Sequence, residues 1–129
     1  MNLRHIAAFV FVGILLSATV LLAHHSFAGT YDEDKTVTIE GKLAQFLMRN
    51  PHSFIHVDVT GKDGKVIRYS IEGAAGGQFS RDGFTRETLR HGDVVVVTGS
   101  PGRNAADHRM RLRTITRPSD GWKWGGTFD

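Results

Sequence analysis

Five short segments with strand character, separated by glycine- and proline-containing turns, constrain the fold of this chain more than any other feature. In the second segment Ile55, Val57 and Val59 alternate with Phe54, His56 and Asp58, which is the two-residue period of a half-buried strand. The dipeptide Asp63-Gly64 then marks a hairpin turn. The predicted strands cover residues 36–47, 53–60, 66–72, 93–99 and 109–116. Short alternating strands of this number indicate a small all-β domain.

The connections between the strands complete the predicted topology. Residues 85–89 can form a short helix with Thr85 as its N-cap, and the glycine-rich residues 73–77 predict a flexible break before it. Gly41 predicts a bulge or bend in the first strand, and the four valines of residues 94–97 predict a buried fourth strand. Five strands with one short helix between the third and fourth match the OB fold, a small antiparallel β-barrel. An open five-stranded sheet is the alternative.

The N-terminus has the three-part layout of a secretory signal peptide. Arg4 supplies positive charge, residues 6–22 form an apolar run, and Ala23 follows as a small residue. We therefore predict a signal peptide over residues 1–23 and one exported, periplasmic domain over residues 24–129, beginning with a polar lead-in. A cut after Ala28 is a second alternative. An uncleaved membrane anchor is a third, because the run is near the shortest length that spans a bilayer.

Charge and cysteine content exclude several classes of protein. The chain has 16 Lys and Arg against 13 Asp and Glu, a formal net charge of +3, which is too balanced to indicate a nucleic-acid partner. It contains no cysteine, which excludes disulfides and thiolate chemistry. The sequence has no phosphate-loop, dinucleotide-binding or zinc-protease motif, and no acid–base or nucleophile set emerges. A binding protein is therefore favoured over an enzyme.

Several motifs resemble those of a family of small exported bacterial proteins classed as a domain of unknown function. The matching segments are His24-His25-Ser26-Phe27-Ala28, Asn50-Pro51-His52, the strand from Phe54 to Val59, Gly83-Phe84-Thr85-Arg86, Leu89 and Gly92-Asp93. The resemblance implies cleavage directly before the His-His pair. The chain departs from the family in two places. Residues 46–49 stand where the family often has a tryptophan, and residues 74–77 replace a Ser-Pro-Asn-type segment.

Histidines are the residues best suited to carry a function, and the chain has seven. A cut after Ala23 would make His24 the N-terminal residue. An N-terminal histidine can bind a metal through its amine and its ring, and a further imidazole then completes three nitrogen ligands, as in the histidine brace of some copper proteins. We predict that His24, His25 and His52 bind copper or another transition metal, since nitrogen ligands suit Cu(II). Zinc is an alternative, although its structural sites use four ligands.

Two hypotheses about function follow from these observations. In the first, the protein binds copper in the periplasm and hands it on without turnover. In the second, it is a metal-free interaction module of the cell envelope that binds a partner protein or small ligand with its barrel face and with Trp122 and Trp124. These tryptophans lie in a tail predicted as part strand and part loop, and they either pack against the barrel or form a docking edge.

Two groups of carboxylates are weaker candidates for a site. Glu72 ends the third predicted strand and is the carboxylate best placed to take part in a site. Asp32, Glu33 and Asp34 could bind a cation, but the pattern is more typical of a solvated acidic turn.

Overall fold

In the computed structural model, residues 27–128 are described, and they form a sheet that closes on itself. Its elements in chain order are β1 (Val37–Leu47), β2 (Ser53–Thr60), β3 (Val66–Gly73), helix α1 (Gly76–Arg81), β4 (Val94–Pro101), a short 3-10 turn (Ala105–Asp107), β5 (Arg109–Arg117) and β6 (Trp122–Gly125). The strand order is β3-β2-β1-β4-β5-β6, and an additional pairing of β3 with β5 closes the first five strands into a barrel. The predicted OB-like barrel is confirmed, and the open sheet is wrong. Within residues 27–128, no helix has the length and apolar character needed to cross a membrane.

The first strand wraps round the barrel because its two halves have different partners. Its first half pairs with β4 and its second half with β2, and Lys42 pairs with both. Gly41 lies at this change of partner, where an added β-carbon would be 2.8 Å from Val57 Cγ1 and closer still to the Asp58 carbonyl oxygen. The bulge itself follows Leu43. Glycine is therefore needed at this position because the two strands approach closely.

The closing pair differs from the other strand pairs because β3 and β5 run parallel. Its paired residues are Ser70 with Arg109, Ile71 with Met110, and Glu72 with Arg111. Ile71 and Met110 are fully buried in the barrel core. Since neighbouring side chains on a strand point to opposite faces, the residues on either side of them point outwards. The closure thus places Glu72 beside arginines on one outer face.

The fourth strand alternates, although its run of valines predicted burial throughout. Val95 and Val97 are fully buried, whereas Val94 is 43% exposed. The core also includes inward side chains of the other strands, among them Leu43, Ile55, Val57, Leu112 and Ile115. One face of each strand therefore fills the barrel, as expected for an antiparallel sheet with a solvated outer face.

The short helix lies earlier in the chain than the sequence indicated. It begins at Gly76, inside the segment predicted to be a flexible break, whereas residues 86–88 form only a turn. A β-carbon at Gly76 would be 3.2 Å from Met48 Cγ, and the Gly76 N–H donates to the Arg49 carbonyl oxygen at 2.8 Å. Phe79 anchors the helix and is fully buried. The prediction of a helix over residues 85–89 is wrong because burial of Phe79 outweighs local propensity.

A cluster of aromatic rings packs where α1 and β6 meet the barrel. Neighbouring ring centroids are 4.5 to 4.9 Å apart, and the members are Phe46, Phe79, Phe84, Trp122 and Trp124. Trp124 is 6% exposed, and its indole N–H donates to Asp82 Oδ2 at 3.0 Å. Trp122 is half-buried against the cluster. Of the two alternatives for these tryptophans, packing against the barrel is the one that the structure shows.

Arg117 joins the turn before β4 to the end of β5. Its Nη1 lies 2.9 Å from Asp93 Oδ2 and donates to the Thr88 carbonyl oxygen at 2.5 Å, while its Nη2 lies 2.8 Å from Asp120 Oδ2. The pKa of Asp93 is lowered because the Arg90 N–H donates to its carboxylate and because Arg117 lies beside it. The pKa of Asp120 is lowered chiefly by Arg117.

Replacing Gly41 by alanine is expected to lower the free energy of unfolding by roughly 1–3 kcal/mol, the usual cost of adding atoms to a packed region. Gly77→Ala is the matched control. Its β-carbon would meet only Arg81 Nη1, at 3.9 Å, and alanine is the better helix former. Urea unfolding followed by circular dichroism measures both changes. A G41A midpoint equal to that of the wild type would contradict the close approach of β1 and β2.

The Arg117 contacts predict a loss of stability in acid. A carboxylate whose pKa is depressed in the folded state stabilises the fold above its unfolded pKa, about 3.9 for Asp, and this contribution disappears as the pH falls through the folded value. The urea concentration at the midpoint of unfolding should therefore decrease as the pH is lowered below about 4. This decrease should be less steep in Arg117→Gln. Arg113→Gln is the control because Arg113 donates to Thr36 Oγ1 and the Glu33 carbonyl oxygen rather than to a carboxylate. Equal slopes in R117Q and R113Q would exclude Arg117 as a source of the pH dependence.

Candidate functional site

His52, the one predicted metal ligand within residues 27–128, lies in the loop between β1 and β2. Its side chain is 22% exposed. His24 and His25 fall outside the described residues, so their part in a site stays a prediction. The structure therefore tests the surroundings of His52 and leaves the ligand set itself untested.

The loop that carries His52 is held by hydrogen bonds on both sides. The Ser53 hydroxyl donates to the Arg49 carbonyl oxygen at 3.2 Å and accepts from the Arg49 N–H at 3.1 Å. The Ser53 N–H donates to the Ala74 carbonyl oxygen at 3.1 Å, and the Ser53 side chain is fully buried. These bonds tie the residue next to His52 to the end of β3, so the imidazole has a fixed place on the barrel.

A turn of helix before β1 covers the imidazole with an aromatic ring. Residues 27–30 are helical, and the Tyr31 N–H donates to the Phe27 carbonyl oxygen at 2.7 Å. The Phe27 ring stands nearly perpendicular to the His52 ring, with 5.0 Å between centroids. The Phe128 ring lies 6.1 Å from the same imidazole. His52 is thus packed between residues from the two ends of the described chain.

Glu72 lies beneath this turn and links three of its neighbours. Its Oε2 accepts a hydrogen bond from the Tyr31 hydroxyl at 2.5 Å and lies 3.6 Å from Arg109 Nη2. Its Oε1 lies 3.8 Å from His52 Nδ1, which is within ion-pair range but longer than a hydrogen bond. The Glu72 side chain is only 13% exposed. The carboxylate that the sequence singled out therefore adjoins the predicted ligand.

Tyr31 is the residue of this network that sequence reasoning missed. It was part of the predicted polar lead-in, yet its side chain is fully buried. Burial raises the pKa of its hydroxyl well above the ordinary value, and the hydrogen bond to Glu72 raises it further. The signal was present, since Phe27 and Tyr31 are aromatic residues spaced four apart, as on one face of a helical turn.

Arg111 holds both ends of the described chain against the barrel. Its guanidinium carbon lies 4.0 Å from the centre of the Phe27 ring and 4.9 Å from that of the Phe128 ring. It also forms an ion pair with Glu33 and donates to the Phe128 carbonyl oxygen. Cation–π contacts of this kind are worth roughly 0.5–2 kcal/mol each. Two carboxylates of the predicted solvated acidic turn thus form ion pairs, Glu33 with Arg111 and Asp32 with Lys35.

The remaining histidines of the barrel lie apart from His52. His56 is on the outer face of β2, where burial and the nearby Arg68 lower its pKa. His91 is exposed in the turn before β4, and the His108 ring contacts the Tyr69 ring at a tilted angle, with 5.4 Å between centroids. Considering residues 27–128 by themselves, no three His, Asp or Glu side chains form a group that could hold a metal ion. His52 alone is therefore not a complete site.

The fold and these contacts define a small OB-like barrel protein with an aromatic-capped histidine on its outer face. The chain belongs to a family of unknown function, DUF6152, whose profile matches residues 13–111. The matched range includes His24, His25, His52 and Glu72. A search of curated proteins finds no match.

Among solved structures the chain is similar to Rim1, the mitochondrial single-stranded DNA binding protein of S. cerevisiae. One crystal form gives a TM-score of 0.50 at 15% identity, over 72% of this chain and 98% of Rim1. A second form gives a TM-score of 0.49 at 17% identity, over 64% of this chain and 91% of Rim1. At this level of identity the likeness concerns the fold alone, and it agrees with the OB-like barrel.

Replacing Tyr31 by phenylalanine removes the hydroxyl that donates to Glu72 and keeps the buried ring. We expect the free energy of unfolding to fall by about 1.5–3 kcal/mol, the usual contribution of a hydrogen bond to a charged group. Tyr69→Phe is the control, because the half-buried Tyr69 forms no side-chain hydrogen bond with any residue of 27–128 and should change stability by less than about 0.5 kcal/mol. If Y31F and Y69F unfold at the same urea concentration, the Tyr31–Glu72 bond contributes nothing to stability.

Proposed function

We propose that this protein is exported to the periplasm and binds copper, or another transition metal, at an N-terminal His24 with His52 and His25 as further ligands. His24 would supply its amine and its ring, and His52 would supply a second ring. The protein would store or deliver the metal without turnover. In the alternative function, a metal-free interaction module, the two tryptophans are less suited to docking a partner, because Trp124 is buried and Trp122 is packed against Phe84.

The contact of Phe27 with His52 carries the proposal. Phe27 follows His24 by three residues, and three residues span at most about 10 Å. Because the Phe27 ring is 5.0 Å from the His52 ring, three intervening residues are short enough to allow His24 to approach His52. Sequence spacing alone could not have indicated this, since the two histidines are separated by the whole of β1.

The packing of Phe27 also supports a cut after Ala23 rather than after Ala28. Phe27 is 7% exposed and belongs to the hydrophobic core, and the Ala28 carbonyl oxygen accepts from Arg103 Nε at 2.7 Å. A cut after Ala28 would remove both contacts. Loss of a buried phenylalanine costs about 3–5 kcal/mol in typical proteins. The earlier cut keeps these contacts and leaves His24 with a free amine.

The chemistry of the donor set suits a divalent transition metal. An amine and two imidazoles are nitrogen ligands, and nitrogen sites favour Cu(II) among the common divalent ions. The proposal requires the N-terminal histidines, because among residues 27–128 no group of three His, Asp or Glu could hold a metal. His52 Nδ1 is buried without a hydrogen-bond partner, which leaves Nε2 as the ring atom available to a ligand.

Copper titration of the purified protein beginning at His24 tests the proposal. We expect His24→Ala and His52→Ala each to weaken Cu(II) binding at least about tenfold, the usual scale for loss of one ligand or its support. His91→Ala is the control, because His91 is exposed in the turn before β4 and should not affect binding. If a His24→Ala/His52→Ala variant binds Cu(II) as tightly as the wild type, the proposal is wrong.

A second arm tests the role of the free amine separately from the imidazoles. A three-residue extension before His24 leaves every side chain in place but moves the amine away from it. We expect the extension to weaken Cu(II) binding as much as His24→Ala does. Intact mass and N-terminal sequencing of the exported protein give the natural cut site, and a mature start at Gly29 would rule out a brace at His24.

A further inference from the structure

A buried ring nitrogen of His52 has no hydrogen-bond partner within residues 27–128. Among the buried side-chain nitrogen and oxygen atoms of residues 27–128, Nδ1 of His52 is the one left unpaired. Buried polar atoms are paired in nearly all cases, because an unpaired one costs about 1–3 kcal/mol. The Glu72 carboxylate lies beside it, with Oε1 3.8 Å away. A small movement of the ring or of the carboxylate would close this gap to hydrogen-bond length.

Glu72 is held so that its second oxygen stays directed at the imidazole. Its Oε2 is occupied by the Tyr31 hydroxyl at 2.5 Å and adjoins Arg109 Nη2 at 3.6 Å. The Tyr31 hydroxyl donates its hydrogen bond to Oε2, and Oε1 receives none from residues 27–128. Glu72 itself is fixed by the pairing of β3 with β2 and β5. The carboxylate thus offers one free acceptor, on the side of His52.

We infer that Glu72 is a positioning residue whose Oε1 accepts a hydrogen bond from a protonated Nδ1 of His52, which leaves Nε2 unprotonated for the metal. The part of this inference that concerns the metal rests on the proposed function. The part that concerns which ring nitrogen of His52 carries the proton does not. Histidines that bind metals commonly donate their other ring N–H to a carboxylate, which fixes the tautomer and the ring orientation. The Phe27 ring, nearly perpendicular to the imidazole with 5.0 Å between centroids, also restrains it.

Nuclear magnetic resonance of the metal-free protein tests the inference without copper. Long-range correlations between ring protons and nitrogens show which nitrogen carries the proton, and mildly alkaline buffer keeps an ordinary imidazole neutral. We expect His52 to be in the Nδ1–H form in the wild type. In Glu72→Met, which has similar length but replaces the carboxylate by a thioether, a much weaker acceptor, the ring should shift to the Nε2–H form. A wild-type His52 in the Nε2–H form would overturn the inference, whether or not the variant folds.

Copper affinity then separates the inference from the proposed function. We expect Glu72→Met to weaken Cu(II) binding by about 10- to 100-fold, as for other outer carboxylates of metal-bound histidines. Glu40→Met, at an exposed position of β1, is the control. If His52→Ala weakens binding but Glu72→Met does not, the role of Glu72 is wrong and the metal site stands. If His52→Ala has no effect while the Nδ1–H form is observed, the metal function fails and the pairing of the ring with Glu72 stands.

Discussion

The parallel pairing of β3 with β5 is the constraint on which the rest of the structure depends. It closes the barrel, and its register sets Glu72 beside Arg111 on the outer face. Arg111 then holds the rings of Phe27 and Phe128, and Glu72 receives the Tyr31 hydroxyl. Because side chains alternate along a strand, a slip of one residue would turn these groups into the core and the core residues outwards.

The surroundings of Glu72 show how a largely covered carboxylate is tolerated. Transfer of a charge from water into protein is costly unless the charge is paired and hydrogen-bonded. Here Tyr31 supplies a short hydrogen bond, Arg109 supplies a positive charge, and His52 supplies a polar atom at 3.8 Å. If one of these partners were removed, the carboxylate would stay largely buried with fewer interactions to offset its loss of hydration. The network therefore contributes more to a defined geometry than to net stability.

Local patterns were sufficient to predict the strands and the barrel. The alternation in β2 places Ile55 and Val57 in the core as expected, and the Asp63-Gly64 signal lies in the hairpin connection between β2 and β3. Predictions failed where tertiary packing determined the outcome. Gly76, the first residue of α1, is needed for close contact with residues 48–49 rather than for flexibility. Val94 is exposed although its neighbours in the run suggested burial.

The candidate site could be predicted only in part, for a physical reason. His52 and Glu72 each drew notice as residue types, but their proximity depends on loop and strand pairings that no local pattern contains. Tyr31 was hidden in a polar segment. Its burial depends on the bridge to Gly102 and on the Phe27 turn. His24 and His25 remain predictions, supported by the position of Phe27.

The four-residue strand β6 covers an edge of the sheet that could otherwise pair with strands of other molecules. It pairs with the last part of β5, from Thr114 to Arg117, which the closing contact with β3 does not reach. Without β6, a row of unpaired N–H and C=O groups would be exposed there, and such rows recruit strands from other molecules. A short strand with the charged Lys123 at its centre presents a much poorer template for this. Besides covering the aromatic cluster, β6 thus replaces the open edge of β5 by a shorter, charged edge that is less suited to pairing between molecules.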